Sequence, residues 1–545
     1  LIHNEQVSME RVRIGFLHQR EDVQLRLPAG TRAWSDGRDW PLSGDWRLAC
    51  SATRTGQIQQ AIKVLECADL PLAEEAADQL RRAGLAVELR AHARGAAWPL
   101  ATAPATWLLA LPLGEPCAAQ PGEHMLREQP WPGDDPLLER VRRALGDLPT
   151  RTAGIDPPLW HLQAPARCRW TVLAAEGTLA LCDKDGRRVE AAGPLRFLVP
   201  QGEAARVGEV RVGIGFHWDH RETLAYEDTL EAWIEPSGRI GLINELDLER
   251  YLASVNSSEM TADSPPDLLR AQTVAARSTL LATRGRHHAG EPFDICADDH
   301  CQCFRGCGAI AAASDEAAQD TRGVVLTHAG RVCDARYSKS CGGIVEAYEH
   351  VWEDQAVPYL PSFRDTCVPD PGFVRPASEE AWRDWILAAE SVWCNTEEFK
   401  LPPGLAFSDG FYRWRVELTR DEAAAHIRRT TGKAFRRLLD LTPLERGASG
   451  RLRRLLVRTD AGDFTLGKEL AIRLALSATC LYSAAIVLDW EGDTLLIRGK
   501  GWGHGVGLCQ LGATRMALEG RPWREILAHY YPHTALVAIR QAEAP

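Results

Sequence analysis

Apolar and polar positions alternate along the first part of the chain. VRIGFLH, VQLRLPAG, WRLACSA and AIKVLEC, up to about Cys67, predict short strands separated by turns. The spacing then lengthens. LAEEAADQLRRAGLAVELRAHARG predicts a helix, a stop at Gly84 and a strand from Leu85 to Arg90, followed by the apolar run TWLLALPL. Gly114–Pro136 is rich in Gly, Pro and polar residues and reads as a linker or exposed loop, with PLLERVRRALGDL after it as a short amphipathic helix. From Arg167 to Val212 strands and turns return, with an Asp-Gly turn between alternating runs. RVRIGFLHQREDVQLRL near the start parallels RVGIGFHWDHRETLAYED from Arg211; two β-hairpins are the plainer reading of this echo, an old duplication the other. Between Pro371 and Gly450, SEEAWRDWILAAESVW and TRDEAAAHIRRTTGKAFRRLLDL are helical in pattern. FYRWRVELT and LRRLLVRTDAGDFTL are strand-like.

The densest chemistry lies between Leu248 and Cys307. Leu248–Val255 predicts a helix that stops in the turn-forming residues Asn256, Ser257 and Ser258, leaving Glu259 and Met260 at its end. A second helix is punctuated by Ser264 as N-cap, Pro265 at the first helical position and Asp267 closing a capping box. Leu268, Ala271, Ala275, Ser278 and Ala282 form a stripe of mostly small residues that lets this helix lie close to a neighbour. Glu259 is thereby placed between two packed helices, where partial burial favours a carboxyl that keeps its proton and can act as a general acid. Most glutamates are solvated or cap something, so spacing alone does not single it out.

Length and charge narrow the classes. At 545 residues the chain holds more than one domain. The expected fold class is α+β and multidomain: an N-terminal α+β accessory region over 1–113, a linker and short helix over 114–165, a β-rich lead-in over 166–207, and a catalytic domain over 208–545 with an α+β insertion at about 371–450. A net charge of −11 argues against nucleic acid as a partner, and no apolar run reaches the length of a membrane span. The first residues show no signal peptide pattern. Fifteen cysteines are many for such a chain, and Cys296, Cys301, Cys303 and Cys307 cluster tightly.

Three constellations carry candidate chemistry. Cys296 and Cys301, with His300 between them and His287 and His288 upstream, offer sulfur and imidazole donors of the kind zinc takes; disulfides among the four clustered cysteines are an equal alternative from spacing alone. In RYSKSCGGIVE, Gly342 and Gly343 permit a tight turn, and Tyr337, Ser338 and Lys339 offer hydrogen bonds to a sugar, although a plain hairpin turn explains the pattern as well. In GWGHGVGLCQ, four alternating glycines predict an irregular loop around His504, with Gln510 at its end, where backbone approaches something closely. Gln272 and Arg277 on the second helix are further candidates for substrate binding, and an internal ion pair is the commoner fate of such an arginine.

ERYLASVNSSEM with LLRAQTVAARSTLLA resembles the signature of the stage II sporulation protein D family and the related amidase-enhancer domain. ICADDHCQCFRG, YSKSCGGIVEAYEHVW with VPYL, GKELAIRLAL, and GWGHGVGLCQLGATRMALEG with ILAHYYP follow in the family's order, from about Gly208 to Ile539. The sequence departs from many relatives in having Asn256 where they have proline. The resemblance implies a peptidoglycan lytic transglycosylase acting on glycan strands, particularly peptide-stripped ones, with Glu259 as the catalytic acid. It also implies zinc at Cys296, His300, Cys301 and His288, with His287 as the alternative fourth ligand, in a structural role beside Glu259. The Ser- and Gly-rich segment then becomes substrate-binding, and export from the cytoplasm is required. The strand, helix and strand near Gly84 faintly resemble a SPOR glycan-binding repeat, though an ordinary α/β unit is the plainer reading. The rival functions are a non-enzymatic amidase-enhancing module that binds glycan or a partner amidase, and a disulfide-stapled glycan-binding scaffold.

Overall fold

A computed structural model describes residues 11–538, apart from 55–56, 68–69, 93–105, 113–116, 119–128, 131–139, 141–159, 162–165, 174, 215, 217, 285–286, 289–290, 299, 353 and 368–372. The fold is α+β, with several separate sheets. The expected linker and the helix PLLERVRRALGDL lie almost wholly outside the described residues.

The alternating pattern at the start does form strands: β1 (Arg11–Arg20), β2 (Asp22–Ser35) and β3 (Arg38–Arg54). In β2, Val23, Leu25 and Leu27 are buried while Gln24 and Arg26 face outward or sideways, as a period of two requires. These strands do not stay within an N-terminal unit. They belong to one 11-stranded sheet with the strands of residues 176–247, and β1 pairs antiparallel with Ile240–Asp247, from Arg11 opposite Asp247 to Arg20 opposite Ile240. This sheet crosses the expected boundaries at residues 113 and 207, because the exposed edge of Ile240–Asp247 takes its partner from the far end of the chain. β1 and β2 are therefore not a hairpin with each other, whereas Ala205–Val212 and His220–Tyr226 do pair as one. The Asp-Gly turn joins Glu176–Asp183 to Arg188–Ala191, with Gly186 at φ 82°. A second sheet contains Gln57–Cys67, Glu88–His92, Thr106–Pro112 and Ala166–Leu173, beside helix α1 (Leu70–Arg82).

Two helices follow the large sheet. α2 (Leu248–Glu259) packs Tyr251, Leu252 and Val255 into the same core as Val12, Ile14, Leu230 and Leu242. α3 (Pro266–Thr283) contributes Ala276 and Leu280 to that core and Leu268, Leu269, Ala271, Val274 and Ala275 to a second one, so it is buried on both sides. The second core is completed by α4 (Ala312–Asp320) and by residues from the C-terminal part of the chain, among them Leu508, Leu511, Ile526 and Tyr530.

Beyond it, α5 (Glu379–Leu387), α6 (Arg420–Thr431) and α7 (Glu469–Ala475) alternate with two three-stranded sheets. The helix expected over TRDEAAAHIRRTTGKAFRRLLDL stops at Thr431. Thr419 and Glu422 form a capping box at its start, Gly432 closes it in the left-handed region, and Leu438–Arg446 is a strand. One apolar core runs from Ala423 to Ile497, so this α+β unit continues well past residue 450. α8 (Gln510–Leu518) and α9 (Trp523–Tyr530) return to the second core. Among the described residues no helix is long and apolar enough to cross a membrane.

Candidate functional site

α2 does not end at Asn256. It runs to Glu259, because the turn-forming side chains are used within the helix pair. Asn256 donates its amide to Leu269 O at 3.0 Å and Thr273 Oγ1 at 2.8 Å, both on α3, while the Ser257 and Ser258 hydroxyls donate back to the carbonyls of Ala253 and Ser254. The start of α3 also differs from expectation. Pro266 opens it without a side-chain cap, Ser264 Oγ accepts from Thr261 N, and the Asp267 carboxylate accepts from Trp523 N instead of closing a capping box.

Glu259 ends α2 with its side chain 14% exposed. Lys339 Nζ donates to its carboxylate Oε2 at 2.7 Å and to its backbone carbonyl at 2.9 Å. Lys339 reaches it from the Ser- and Gly-rich segment, which is fixed in turn: Tyr337–Ser338 pairs with Leu508–Cys509, Ser340 and Trp502 exchange backbone hydrogen bonds, and Leu511 N donates to Lys339 O at 3.0 Å. The glycine loop and the start of the following helix thus fix the segment whose lysine reaches the carboxylate. On the other side, the loop after Glu259 meets Gly404, whose N–H donates to Asp263 Oδ2 at 3.1 Å.

The glycine loop approaches protein. A Cβ on Gly507, at φ 69°, would lie 2.0 Å from Arg336 O; one on Gly505, at φ 78°, would lie 2.4 Å from the guanidinium carbon of Arg451. Arg451 is almost fully buried and donates to the carbonyls of Ser340, Cys341 and Gly503, tying the two motifs together. Beside it Glu346, also buried, accepts from Ala347 N, Ala448 N, Ser449 N and Ser449 Oγ. Burial opposes its charge, but the bonds from His350 and Ser449 and the charge of Arg451 outweigh that and hold Glu346 below the usual carboxylate range. Sequence reasoning missed this pair, whose partners are about a hundred residues apart.

The remaining candidates divide. His504 accepts from Val506 N at Nδ1 and packs edge-on against Trp352; burial and the charges of Arg336 and Arg451 hold it well below the ordinary imidazole range, so the ring is neutral. Gly342 and Gly343 are buried at φ 80° and 101°, against Lys500 and Val392. Ser338 is buried with its hydroxyl unpartnered, and Tyr337 is half-buried. Gln510 donates to Gln272 at 3.3 Å with both side chains buried, a link between α8 and α3 that leaves Gln272 Nε2 and Gln510 Oε1 without a partner. Arg277 must be withdrawn as a substrate-binding residue. It is 0% exposed and bound through two nitrogens to the Glu249 carboxylate, with a further bond to Val324 O.

His288, Cys296, His300 and Cys301 gather as the metal reading requires, with one donor atom from each within 4.8 Å of the others. His288 Nε2 is 3.2 Å from Cys301 Sγ, and His300 Nδ1 is 4.0 Å from both sulfurs. A tetrahedral ion with zinc-like bond lengths needs donor separations of ~3.5 Å between N and S, so these residues fit one. The hydrogen-bonded Cys301 thiol and burial push Cys296 up to about 11, and an ion would displace its proton. Cys296 is placed by the sheet: Ile295–Cys296 runs parallel to β1 opposite Ile14 and Gly15, and the Phe293 ring fills the space where a Gly15 side chain would be. His287 packs edge-on against His300 and lies outside the quartet.

Residues 236–328, which contain Glu259 and the Cys/His quartet, match the stage II sporulation protein family. The chain carries a stage II sporulation protein domain. Residues 346–507 match a domain of unknown function, DUF8618. Over 297 residues the chain is 28% identical to the amidase enhancer of Bacillus subtilis (strain 168), covering 53% of this chain and 40% of that protein. It is 24% identical over 308 residues to stage II sporulation protein D of the same organism, covering 54% and 75%, and 25% identical over 303 residues to that of Bacillus amyloliquefaciens, covering 53% and 74%. The sporulation-protein domain thus supplies the carboxylate and the quartet, while Lys339 and the end of the glycine loop that holds it come from beyond both matched segments.

Proposed function

We propose that this protein is a peptidoglycan lytic transglycosylase that cuts the bond between N-acetylmuramic acid and N-acetylglucosamine in peptide-stripped glycan strands. The observation that carries the reading is the Glu259–Lys339 pair: a carboxylate at a helix end, gripped by a lysine from the Ser- and Gly-rich segment. Ordinary glycoside hydrolysis needs two carboxylates, whereas an intramolecular attack needs one group that first gives a proton and then takes one.

Glu259 donates its proton to the glycosidic oxygen as the bond to the muramic C1 breaks, and the N-acetylglucosamine end leaves with a new hydroxyl. The C6 hydroxyl of the same muramic residue attacks C1 and passes its proton to Glu259, which closes a 1,6-anhydro ring and restores the acid. No water is consumed. Lys339 already contacts both the carboxylate and the carbonyl of Glu259. Shifting onto the carbonyl frees the carboxyl to accept the proton it must donate. Tyr337, half-buried in the same segment, would offer a hydrogen bond to the sugar. His288, Cys296, His300 and Cys301 would hold zinc as a structural brace for the loop beside the sporulation-type helix pair, and the substrate requires an extracytoplasmic location.

The test is product analysis. Purified chain incubated with peptide-free glycan should release 1,6-anhydro ends by mass spectrometry, and Glu259→Gln should stop release while the fold and glycan binding persist. Reducing ends in place of anhydro ends, or turnover by Glu259→Gln, would sink the assignment. A second reading is favoured by the similarity to a protein named amidase enhancer: the chain binds a cell-wall amidase and raises its activity. In that case stimulation survives Glu259→Gln, and the chain alone yields no anhydro product.

A further inference from the structure

A second group of ligand-type side chains lies apart from the quartet. Cys341, Asp365, Cys394 and Cys509 come from four distant stretches of the chain, are all buried, and bring one donor atom each within 4.8 Å of the others. Cys341 Sγ is 3.7 Å from Cys394 Sγ and 3.2 Å from Asp365 Oδ2. A tetrahedral ion with bonds of about 2.3 Å to sulfur and 2.0 Å to oxygen spaces its ligands by ~3.8 Å between sulfurs and ~3.5 Å between sulfur and oxygen. A disulfide would need sulfurs at about 2.05 Å and would leave the third cysteine and the carboxylate unexplained.

The surroundings suit thiolates. Cys341 N donates to Cys509 Sγ at 3.2 Å, Gly343 N to Cys341 Sγ at 3.3 Å, and Gly512 N to Cys509 Sγ at 3.4 Å. Backbone donors aimed at sulfur stabilise its charged form, as outer contacts do around metal-bound ligands. Asp365 is oriented by His529 Nε2 at 2.8 Å and by the Tyr530 hydroxyl at 3.1 Å.

We infer that Cys341, Cys394, Cys509 and Asp365 form a second metal site, closed and structural, that takes a zinc-class ion. All four positions come from protein and none opens to solvent, which separates it from a catalytic centre with a free position. Binding replaces up to three thiol protons with the ion and releases them to solvent. The ion ties the segment carrying Lys339 to the start of α8, where Leu511 N already holds Lys339 O, and to Asp365 and Cys394 of the neighbouring loops. It braces the lysine side of the Glu259–Lys339 pair as the quartet braces the loop after α3.

The experiment counts zinc in the full chain, purified in the presence of zinc ion alone and dialysed, with a chromophoric chelator after unfolding. Cys296→Ser with Cys301→Ser, which empties the quartet, should retain about one ion per chain. Adding Cys394→Ser should bring the count to zero. Cobalt in place of zinc in the first of these variants should give an intense sulfur-to-metal charge-transfer band. Should the variants fail to fold, the wild-type chain decides: peptide mapping without reductant should find Cys341, Cys394 and Cys509 all alkylatable once zinc is removed. A Cys341–Cys394 disulfide in that map, or a folded quartet variant without bound metal, would overturn the site.

Discussion

Lys339 Nζ holds Glu259 at two points, the carboxylate Oε2 at 2.7 Å and the backbone carbonyl at 2.9 Å, although 80 residues separate the two in sequence. The double contact fixes both where the side chain points and where the helix stops. In the transglycosylase reading Lys339 is therefore a positioning residue for the acid, and its substitution should act on turnover more than on affinity.

Lys339→Met should lower kcat by about 100-fold, in the range lost when a catalytic proton donor is misplaced, with KM changing little. Lys339→Arg should recover part of the loss. Steady-state release of anhydro ends separates this from general destabilisation, because an equal loss in both variants together with a lowered Tm would indicate a merely structural lysine.

Arg277→Met should destabilise the fold by about 3–5 kcal/mol, since it strands the Glu249 carboxylate in the core without its partner. Replacing both, as Glu249→Gln with Arg277→Met, should recover part of that loss. Chemical denaturation measures both. Glycan affinity of the folded fraction should stay unchanged, contrary to a substrate-binding role.

Acid should loosen the contact between the Ser- and Gly-rich segment and the Ala448–Arg451 turn. Glu346 is held below its unfolded value, so the unfolded chain binds the proton first. Its contribution to stability is complete above the ordinary carboxylate range and disappears as pH falls through the lowered folded value. In Glu346→Gln that dependence should vanish. Denaturant midpoints measured from neutral to acid pH should show the wild-type curve falling more steeply than that of the variant.

Removing metal from the quartet should release the segment after α3. Cys301→Ser, or a strong chelator, should lower Tm and raise amide exchange between residues 287 and 304, leaving β2 and β3 protected. Unchanged exchange in that segment would mean that the Cys/His group carries no bracing ion.

The helix pair around Glu259 and the clustering of the quartet were legible because both are local: small-residue spacing and donor-type residues sit within some fifty positions, whereas the caps expected at the start of α3 are not the ones used. What escaped was long-range. Asn256, Ser257 and Ser258 have the chemistry of a turn, and only the presence of α3 alongside turns Asn256 into a bridge between helices. Nothing in the period of α3 tells which side of Arg277 faces Glu249. Cys341, Cys394 and Cys509 are scattered singles in the sequence, brought together by loops whose paths no periodicity encodes. The alternating glycines do mark a place of close approach, and what they approach is the chain's own backbone and Arg451.

β1 meets Ile240–Asp247 on one edge and Ile295–Cys296 on the other. During synthesis this strand leaves the ribosome more than two hundred residues before either neighbour exists, so it must wait as an unpaired ribbon while the intervening chain is made. A fragment beginning near residue 208 would keep every residue of the Cys/His quartet and lose the rail on which Cys296 sits. Nascent-chain maturation would then set when the four side chains can first come together.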